Sequence, residues 1–390
     1  MSIRLSGLVF FTFKRRAISD IILVADFEKF GGTRTYLCTL LRFYAQLSKS
    51  VTVLVRENFH DNAMREYVQK LGFSYHVLVN RLPPWLHKRQ HIAAFRLLAE
   101  IHQVWPFFWR IRPDLVVVST AGYFDLLGSI VLPTRFLYIL HSYPRECLES
   151  YYVRLLKNML GRYRRLLTVS HYSKNRILDY WQLNHYSNHI NVIYNSLLLS
   201  EGVPEEKKDG KEITVLTLGH VVTYKNPDYW IQIATQVIKS NPDKEIRFIW
   251  AGDGELLEKC RDKVAAIGLE EISFIGYTIA VDKLYLNADI YFQPSILESF
   301  GLSVIHAMYY SIPCVVSNTG GLTEIVDDNV TGYLIDINLI DETVRKISSL
   351  INQPELRAQM GAAGSQRFYD MFSFDRWVRE MSALHQAMLL

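Results

Sequence analysis

The residues best suited to chemistry lie in one stretch, 294–332, which reads PSILESFGLSVIHAMYYSIPCVVSNTGGLTEIVDDNVTG. A strand is expected to end near Gln293. A loop with Glu298, Ser299 and Gly301 follows, and then a helical pattern begins. The first amides of a helix are unpaired and its dipole is positive there, so this start is a ready anion site. Gly301 lets the backbone come close to a ligand. Leu302, Ile305 and Tyr309 are expected to form the inward stripe of the helix. Glu298 and His306 are eight residues apart, about 12 Å at a helical rise of about 1.5 Å per residue. The two can therefore hold opposite ends of an elongated ligand with the helix start at its middle.

A second anion grip is expected at 214–227, TVLTLGHVVTYKNP. A strand ends at Gly219, and Asn226-Pro227 reads as an N-cap followed by the first helical position. Lys225 then stands just before a helix start, where a phosphate would lie. The reading of His220 is open between a polar loop residue and a cation. An adjacent phosphate anion would favour its protonated form. In the first half, Gly31 and Gly32 separate a strand from a helix, a weak phosphate signal shared with ordinary turns. His141 stands at the end of the run Phe136–Leu140, where a parallel strand delivers its last side chain to a cleft. Ser170, His171, Ser173 and Lys174 form another strand-to-helix turn, with Ser173 expected as the cap. No dedicated nucleophile and no Asp-x-Asp motif stand out, so no metal is expected.

These residues need a scaffold that ends strands at ligands. Short apolar runs alternate with helical patterns throughout. Strands are expected at 20–25, 51–56, 74–79, 114–119, 136–141 and 166–170 in the first half. In the second half they are expected at 213–219, 247–251, 272–275, 290–293 and 313–317. Many are unbroken Val/Ile/Leu runs, as in parallel strands covered on both faces. Residues 196–212 carry Gly202, Pro204 and Gly210 around Glu205, Glu206, Lys207 and Lys208, which is linker chemistry. The 390 residues suit two to three domains.

Charge supports a division at that point. The net charge of +4 hides a reversal, because residues 1–200 hold 26 Lys+Arg against 12 Asp+Glu while the remainder hold 17 against 27. The basic half is expected to meet something anionic. The acidic half argues against a nucleic-acid coating protein, so nucleic acid is not an expected partner. With 49% apolar and 21% charged residues, disordered, collagen-like and coiled-coil classes are excluded. The four cysteines, Cys38, Cys147, Cys260 and Cys314, show no zinc or disulfide spacing, and a reduced cytoplasmic setting is expected. No run is long enough for a membrane-spanning helix. Leu5–Phe13 reads as a first strand or an interfacial anchor.

The combination of Glu298-Ser299-Phe300-Gly301, the helix after it, Pro313, Gly320-Gly321, Glu324 and Thr331-Gly332 resembles the retaining glycosyltransferases of family 4, the glycosyl transferases group 1. The resemblance covers most of the chain and is strongest over 213–335. It implies the GT-B fold, an α/β architecture of two Rossmann-like doubly wound domains facing a cleft. The implied domains are an acceptor-binding domain at 1–196, a linker at 197–212, a nucleotide-sugar donor-binding domain at 213–371, and a helix at 372–390 returning toward the first domain. It implies transfer of a hexosyl-type sugar from a nucleotide-sugar donor to a glycan or lipid-linked acceptor, in cell-surface polysaccharide or glycolipid biosynthesis.

Site roles follow from the same resemblance. Glu298, His141 and Lys225 are implied as catalytic. Donor contacts are implied at Gly31, Gly32, Gly219, His220, Lys225, Glu298, Ser299, Phe300, Gly301, Leu302 and His306. The family has Arg after the glycine at 219 and a second Glu at 306; this chain has His220 and His306. A neutral imidazole still accepts a ribose hydroxyl, with less strength than a carboxylate. Alternatively His306 is a half-buried helix residue. These two departures also motivate an alternative, a catalytically impaired member serving as a binding or scaffold partner. Residues 151–167, YYVRLLKNMLGRYRRLL, read as a basic amphipathic helix, either a domain helix with a solvated basic face or one lying on an anionic surface, and Trp85, His87, Lys88 and Arg89 as a second basic–aromatic patch. An anionic membrane, met from the cytoplasmic face, is therefore an expected partner of the first domain.

Overall fold

The computed structural model describes residues 20–27, 31–78, 102, 104–120, 132–142, 144, 146, 150–199 and 212–389. The expectations for Leu5–Phe13, for Trp85–Arg89, for the linker between 200 and 211, and for Cys147 lie outside the described residues.

The described strands form two parallel sheets. The first holds β1 (Asp20–Ala25), β2 (Ser50–Arg56), β3 (Ser74–Leu78), β4 (Leu115–Thr120), β5 (Arg135–Leu140), β6 (Arg164–Thr168) and β7 (Ile190–Val192), in the order β3-β2-β1-β4-β5-β6-β7. The second holds β8 (Ile213–Leu218), β9 (Ile246–Ala251), β10 (Ile272–Gly276), β11 (Ile290–Gln293), β12 (Cys314–Ser317) and β13 (Gly332–Ile335), in the order β10-β9-β8-β11-β12-β13. The order reverses between β1 and β4 and again between β8 and β11. At such a switch point the connections diverge to opposite faces and leave a crevice beyond the strand ends. Two parallel-sheet α/β domains of the GT-B type result.

The helices that concern the site are α1 (Gly32–Gln46), α2 (Asn62–Lys70), α3 (Ser150–Met159), α4 (His171–Tyr180), α5 (Pro227–Ser240), α6 (Leu257–Ile267), α7 (Val281–Leu286), α8 (Leu302–Tyr309), α9 (Leu322–Ile325), α10 (Ile340–Asn352), α11 (Pro354–Met371) and α12 (Phe374–Leu389). The central strands are buried on both faces, as the run Ile22, Leu23, Val24 and the run Val116, Val117, Val118 show. This is why they read as unbroken apolar runs. β7 and β13 escape sequence reading because they are short and, in β7, flanked by polar residues. The basic segment 151–167 is not one helix. α3 ends at Met159, and Arg164 and Arg165 stand on strand β6. Both guanidinium groups donate to backbone carbonyls, Arg165 to Asn188 at 2.9 Å.

The chain crosses between the domains twice. After β7, Tyr194 and Leu197 pack into the core around α8 and β12. At the other end, α12 packs Trp377, Met381, Leu384 and Met388 into the core of the first sheet against α1. Each such side chain contributes about 1.5–3 kcal/mol on full burial, so this helix is a firm tie. Arg376 donates to the carbonyl of Tyr194 at 2.8 Å and joins the two crossings. Among the described residues no helix is long and apolar enough to cross a membrane.

His385 of α12 sits in an aromatic cluster with Phe43 and Tyr44. Its Nδ1 lies 2.7 Å from the Met381 carbonyl and its Nε2 lies 3.1 Å from the Tyr44 hydroxyl. A carbonyl only accepts, so Nδ1 carries the proton and Nε2 accepts from Tyr44, which fixes the neutral tautomer. Burial pushes the imidazole down to about 4. A depressed histidine adds stability that is complete above its unfolded value near 6.5 and is lost as pH falls toward 4. Unfolding free energy should therefore drop by about 2 kcal/mol on this account between pH 7.5 and pH 5. Urea titrations of His385→Leu should show a shallower pH slope than wild type, whatever the loss at pH 7.5. An equal slope in both proteins would exclude His385 as a source.

Candidate functional site

The second switch point supplies the anion-binding half. β8 ends at Leu218, and Gly219 turns the chain at φ 154°. Gly252, after β9, lies so close that a Cβ there would sit 2.0 Å from the Gly219 carbonyl. The indole of Trp250 donates to the same carbonyl at 2.9 Å, so the floor of the loop is fixed. Half-buried His220 follows, and then a 3-10 turn over Thr223–Lys225. Asn226 does not cap α5. It adopts the left-handed conformation, φ 60° and ψ 54°, and its side chain makes no cap bond. A capping side chain needs an extended backbone; Asn serves here because it tolerates the left-handed region. Pro227 does occupy the first turn of α5.

The 3-10 turn aims Lys225 at Glu298. The ammonium donates to Glu298 Oε2, and both side chains are largely buried, at 14% and 13% exposure. Gln293, the last residue of β11, donates its Nε2 to the same oxygen at 2.9 Å. Its Oε1 accepts from the Tyr291 hydroxyl at 3.0 Å and from Ser303 at 2.9 Å. The amide is thereby held with nitrogen toward the carboxylate. Sequence reading missed Gln293 and Tyr291, although a buried Gln ending an apolar strand is itself an anomaly.

The loop carrying Glu298 is locked by backbone. Gly321 donates its amide to the Glu298 carbonyl at 3.0 Å. Gly320 stands at φ 57°, and a Cβ there would lie 1.9 Å from that carbonyl. Gly301 stands at φ 129° immediately before α8, where a Cβ would press on Leu322. Ser299 presents its carbonyl to the Ser170 hydroxyl at 2.8 Å. Phe300 is buried between Tyr194 and Phe372. The helix begins only at Leu302, so the helical rise covers Leu302 to His306 and does not by itself set the separation of Glu298 from His306. The inward stripe is also different: Val304, Ile305, Ala307 and Met308 are buried, while Leu302 and Tyr309 are half-buried.

His306 lies one helix turn and more from that start. Its Nε2 is 3.3 Å from Asp282 of α7, and its ring packs 4.4 Å from Tyr285. A carboxylate therefore stands beside position 306, brought by a different helix. No motif pointed to Asp282.

The first switch point supplies the facing half. Gly31, at φ 119°, precedes α1. A Cβ on Gly32 would lie 3.1 Å from the side chain of Leu302. The starts of α1 and α8, one from each domain, therefore converge, each preceded by a glycine. Arg34 of α1 pairs with Asp61, the side-chain cap of α2. His141 follows β5 and puts Nε2 2.9 Å from the Ser119 hydroxyl, with its ring 4.4 Å from that of Tyr36. Desolvation pushes it down to about 4, so it is neutral at pH 7. Ser119 and Asp26 were missed; Asp26 is buried at the end of β1 and ion-paired with Arg56. Ser173 is not the cap of α4. Ser170 is, with extended backbone and its hydroxyl accepting from the Ser173 amide at 3.1 Å.

Among the described residues no group of three or more His, Cys, Asp or Glu is arranged for a metal ion. The arrangement can hold an anion between two helix starts and a lysine, with a carboxylate and a neutral imidazole at its edges.

Gly320→Ala is the sharpest probe of this build. The added methyl meets backbone, so the Glu298 loop must move. The melting temperature should fall by several degrees, as for a loss of about 1–3 kcal/mol at a strained position. Affinity for a diphosphate probe such as pyrophosphate should fall at least about tenfold, since about 1.4 kcal/mol corresponds to that factor. Thermal shift with and without pyrophosphate measures both, and unchanged values would contradict the lock.

Comparison with known proteins adds to this geometry. Residues 201–367 match the model of glycosyl transferases group 1, and residues 30–199 match that of Glycosyltransferase Family 4. An uncharacterized glycosyltransferase of Haemophilus influenzae is 33% identical over 182 residues, which is 46% of this chain and 50% of that protein. The UDP-Gal:alpha-D-GlcNAc-diphosphoundecaprenol alpha-1,3-galactosyltransferase of Escherichia coli is 26% identical over 170 residues, 40% of this chain and 44% of that protein. The matches thus span about half the length of these relatives. In fold, HepE of Anabaena in complex with UDP-glucose superposes with a TM-score of 0.71 at 19% identity, covering 93% of this chain and 98% of that one. A TarM variant of S. aureus, in complex with fondaparinux, alpha-GlcNAc-glycerol and UDP, gives 0.73 at 14% identity, covering 94% and 100%. By the models matched in its two halves and by its fold, the chain belongs to the GT-B glycosyltransferases of the family 4-like, group 1 kind.

Proposed function

We propose that the protein moves a sugar from a nucleotide-sugar donor to a glycan or lipid-linked acceptor, with retention at the anomeric carbon. The observation that carries this is the Lys225–Glu298 pair set beside the converging starts of α1 and α8. A diphosphate suits the helix starts, and a sugar with hydroxyls suits Glu298. In this reading Lys225 leaves Glu298 for the donor phosphate, and the freed carboxylate takes sugar hydroxyls. Amides around Phe300, Gly301 and Leu302 take the distal phosphate. His306 and Asp282 stand where the ribose would extend. UDP in the HepE and TarM complexes supports a uridine donor.

The chemistry needs no enzyme nucleophile and no divalent cation. The bond from the anomeric carbon to the phosphate oxygen breaks as the acceptor oxygen bonds to that carbon from the same face. The departing phosphate oxygen takes the acceptor proton. Lys225 and the helix-start amides stabilise the charge that develops on it, and binding supplies orientation. Neutral His141 offers a hydrogen bond beside the transferred sugar.

A panel of UDP, GDP and ADP sugars, scored for free nucleotide and glycosylated product, tests the reading. Lys225→Ala should lower kcat/KM by about 100-fold or more, the scale of losing one preorganised charge donor. Excess EDTA should leave the rate unchanged. If His220 is protonated beside the diphosphate, turnover falls as pH rises through its bound-state value, and His220→Arg flattens that fall. Failure of every sugar to bind would leave the binding-partner alternative standing instead.

We further infer that the first domain meets an anionic membrane carrying the acceptor. Trp105 and Trp109 are exposed, one helix turn apart, with Arg110 and Arg112 beside them. Indoles favour the bilayer interface and arginines its anionic headgroups. The E. coli relative's named acceptor is lipid-linked. Vesicles with anionic lipid should sediment the protein at low salt and release it at high salt, and Trp105→Ala with Trp109→Ala should weaken this. No sedimentation at low salt would remove the inference.

A further inference from the structure

The start of α4 belongs to the first domain, yet its unpaired amides are satisfied from the second. Glu324 of α9 accepts the amide of His171 at 2.9 Å through Oε2 and that of Tyr172 at 2.6 Å through Oε1. The half-buried Tyr194 hydroxyl bonds the same carboxylate; desolvation first, then the charge and bond of Glu324, push it upward. Ser170, the cap of the same helix, reaches across to the Ser299 carbonyl at 2.8 Å. An anionic side chain on the first turn of a helix is favourable both as an acceptor and against the dipole. The bond is made between domains rather than within one.

Glu324 is also part of the donor loop's support. Its own amide bonds the Gly321 carbonyl at 3.1 Å, and Gly321 in turn bonds the Glu298 carbonyl at 3.0 Å. Arg367 holds the other side through the carbonyls of Glu324 and Ile325. A continuous set of short bonds therefore runs from the start of α4, through Glu324 and the Gly320-Gly321 turn, to the backbone of Glu298.

We propose that Glu324 is a positioning residue that latches the first domain to the donor loop, so that Glu298 is set for the sugar only when the domains are docked. Opening the cleft would expose two amides and a carboxylate to water, which hydrates both, so the latch is reversible. The part of the proposal that concerns turnover rests on the transferase reading above; the part that concerns domain docking does not.

Two readouts test it in the full-length protein. Spin labels on exposed positions of the two sheets' outer helices report inter-domain distance by pulsed electron resonance. Glu324→Gln keeps one acceptor but loses the charge and turns a donor toward the amides. It should shift the distance distribution toward larger separations, with UDP affinity within about twofold of wild type. With a donor sugar, kcat should fall about tenfold or more while the donor KM changes little. Ser170→Ala should act the same way more weakly, and the double variant should be less than additive, because both bonds serve one contact. Unchanged distances in Glu324→Gln overturn the proposal, whether or not activity falls. A loss of activity that tracks only the folded fraction overturns it as well. If wild type transfers no sugar, the distance arm alone decides.

Discussion

The carbonyl of Glu298 accepts the amide of Gly321 at 3.0 Å with Gly320 in the left-handed region directly against it. Much of the site depends on that close backbone contact. It ties the loop after β11 to the loop after β12, two adjacent strands whose register is set by the sheet. With the backbone of Glu298 fixed, its side chain is aimed at Lys225 and Gln293. With Gly301 fixed next to it, α8 starts where its free amides face the cleft. A side chain at position 320 would remove the contact, because its Cβ would occupy the space of the carbonyl. The two glycines are therefore a steric requirement of the Glu298 loop and not merely a flexible turn.

The sheets were legible because parallel strands buried on both faces leave unbroken apolar runs, as in Ile21–Val24 and Val116–Val118. β1 and β11 have the same bounds in sequence and structure. The basic segment after Ser150 was misread for the converse reason. Leucine and arginine interleave there over a helix and a strand in succession, and a 3.6-residue pattern does not mark the change at Gly161. Polar residues at strand ends were legible when a loop motif surrounded them, as for Glu298. They were missed when the signal was one buried polar residue, as for Gln293, Ser119 and Asp26. Contacts between domains were not legible, since Glu324 and His171 are 153 positions apart and no periodicity links them. Short caps were misassigned by one turn, because Ser170 and Ser173 carry the same chemistry and only the backbone distinguishes them.

Charge explains how an acidic half can hold an anion. Exposed carboxylates of the second domain are screened over about 8 Å at physiological salt, whereas Lys225 is largely buried. Removing an ammonium from water is costly unless it is paired, and Glu298 supplies the pair. The pair leaves the cleft locally close to neutral before a ligand arrives. On the proposed reading, an incoming diphosphate exchanges one anionic partner of Lys225 for another, so the lysine is never left unpaired. The exchange would free Glu298 at the moment a sugar needs an acceptor. On that reading one ion pair serves stability before binding and recognition after it.

The neutrality of His141 belongs to the same logic. On the proposed reaction, positive charge develops at the anomeric carbon while negative charge leaves with the phosphate. A cation beside the sugar would oppose the first of these, and a cation beside the phosphate would assist the second. The site divides accordingly. Lys225 and the helix starts stand on the phosphate side, while burial depresses His141 to about 4 and the Ser119 hydroxyl engages its Nε2. To protonate this imidazole at pH 7, a bound anion would have to raise its value by about three units, near 4 kcal/mol at about 1.36 kcal/mol per unit. Most single interactions across a half-solvated cleft are smaller than that. On the proposed reaction His141 then stays a neutral hydrogen-bonding group, and the core that desolvates it sets that role as much as the residue itself.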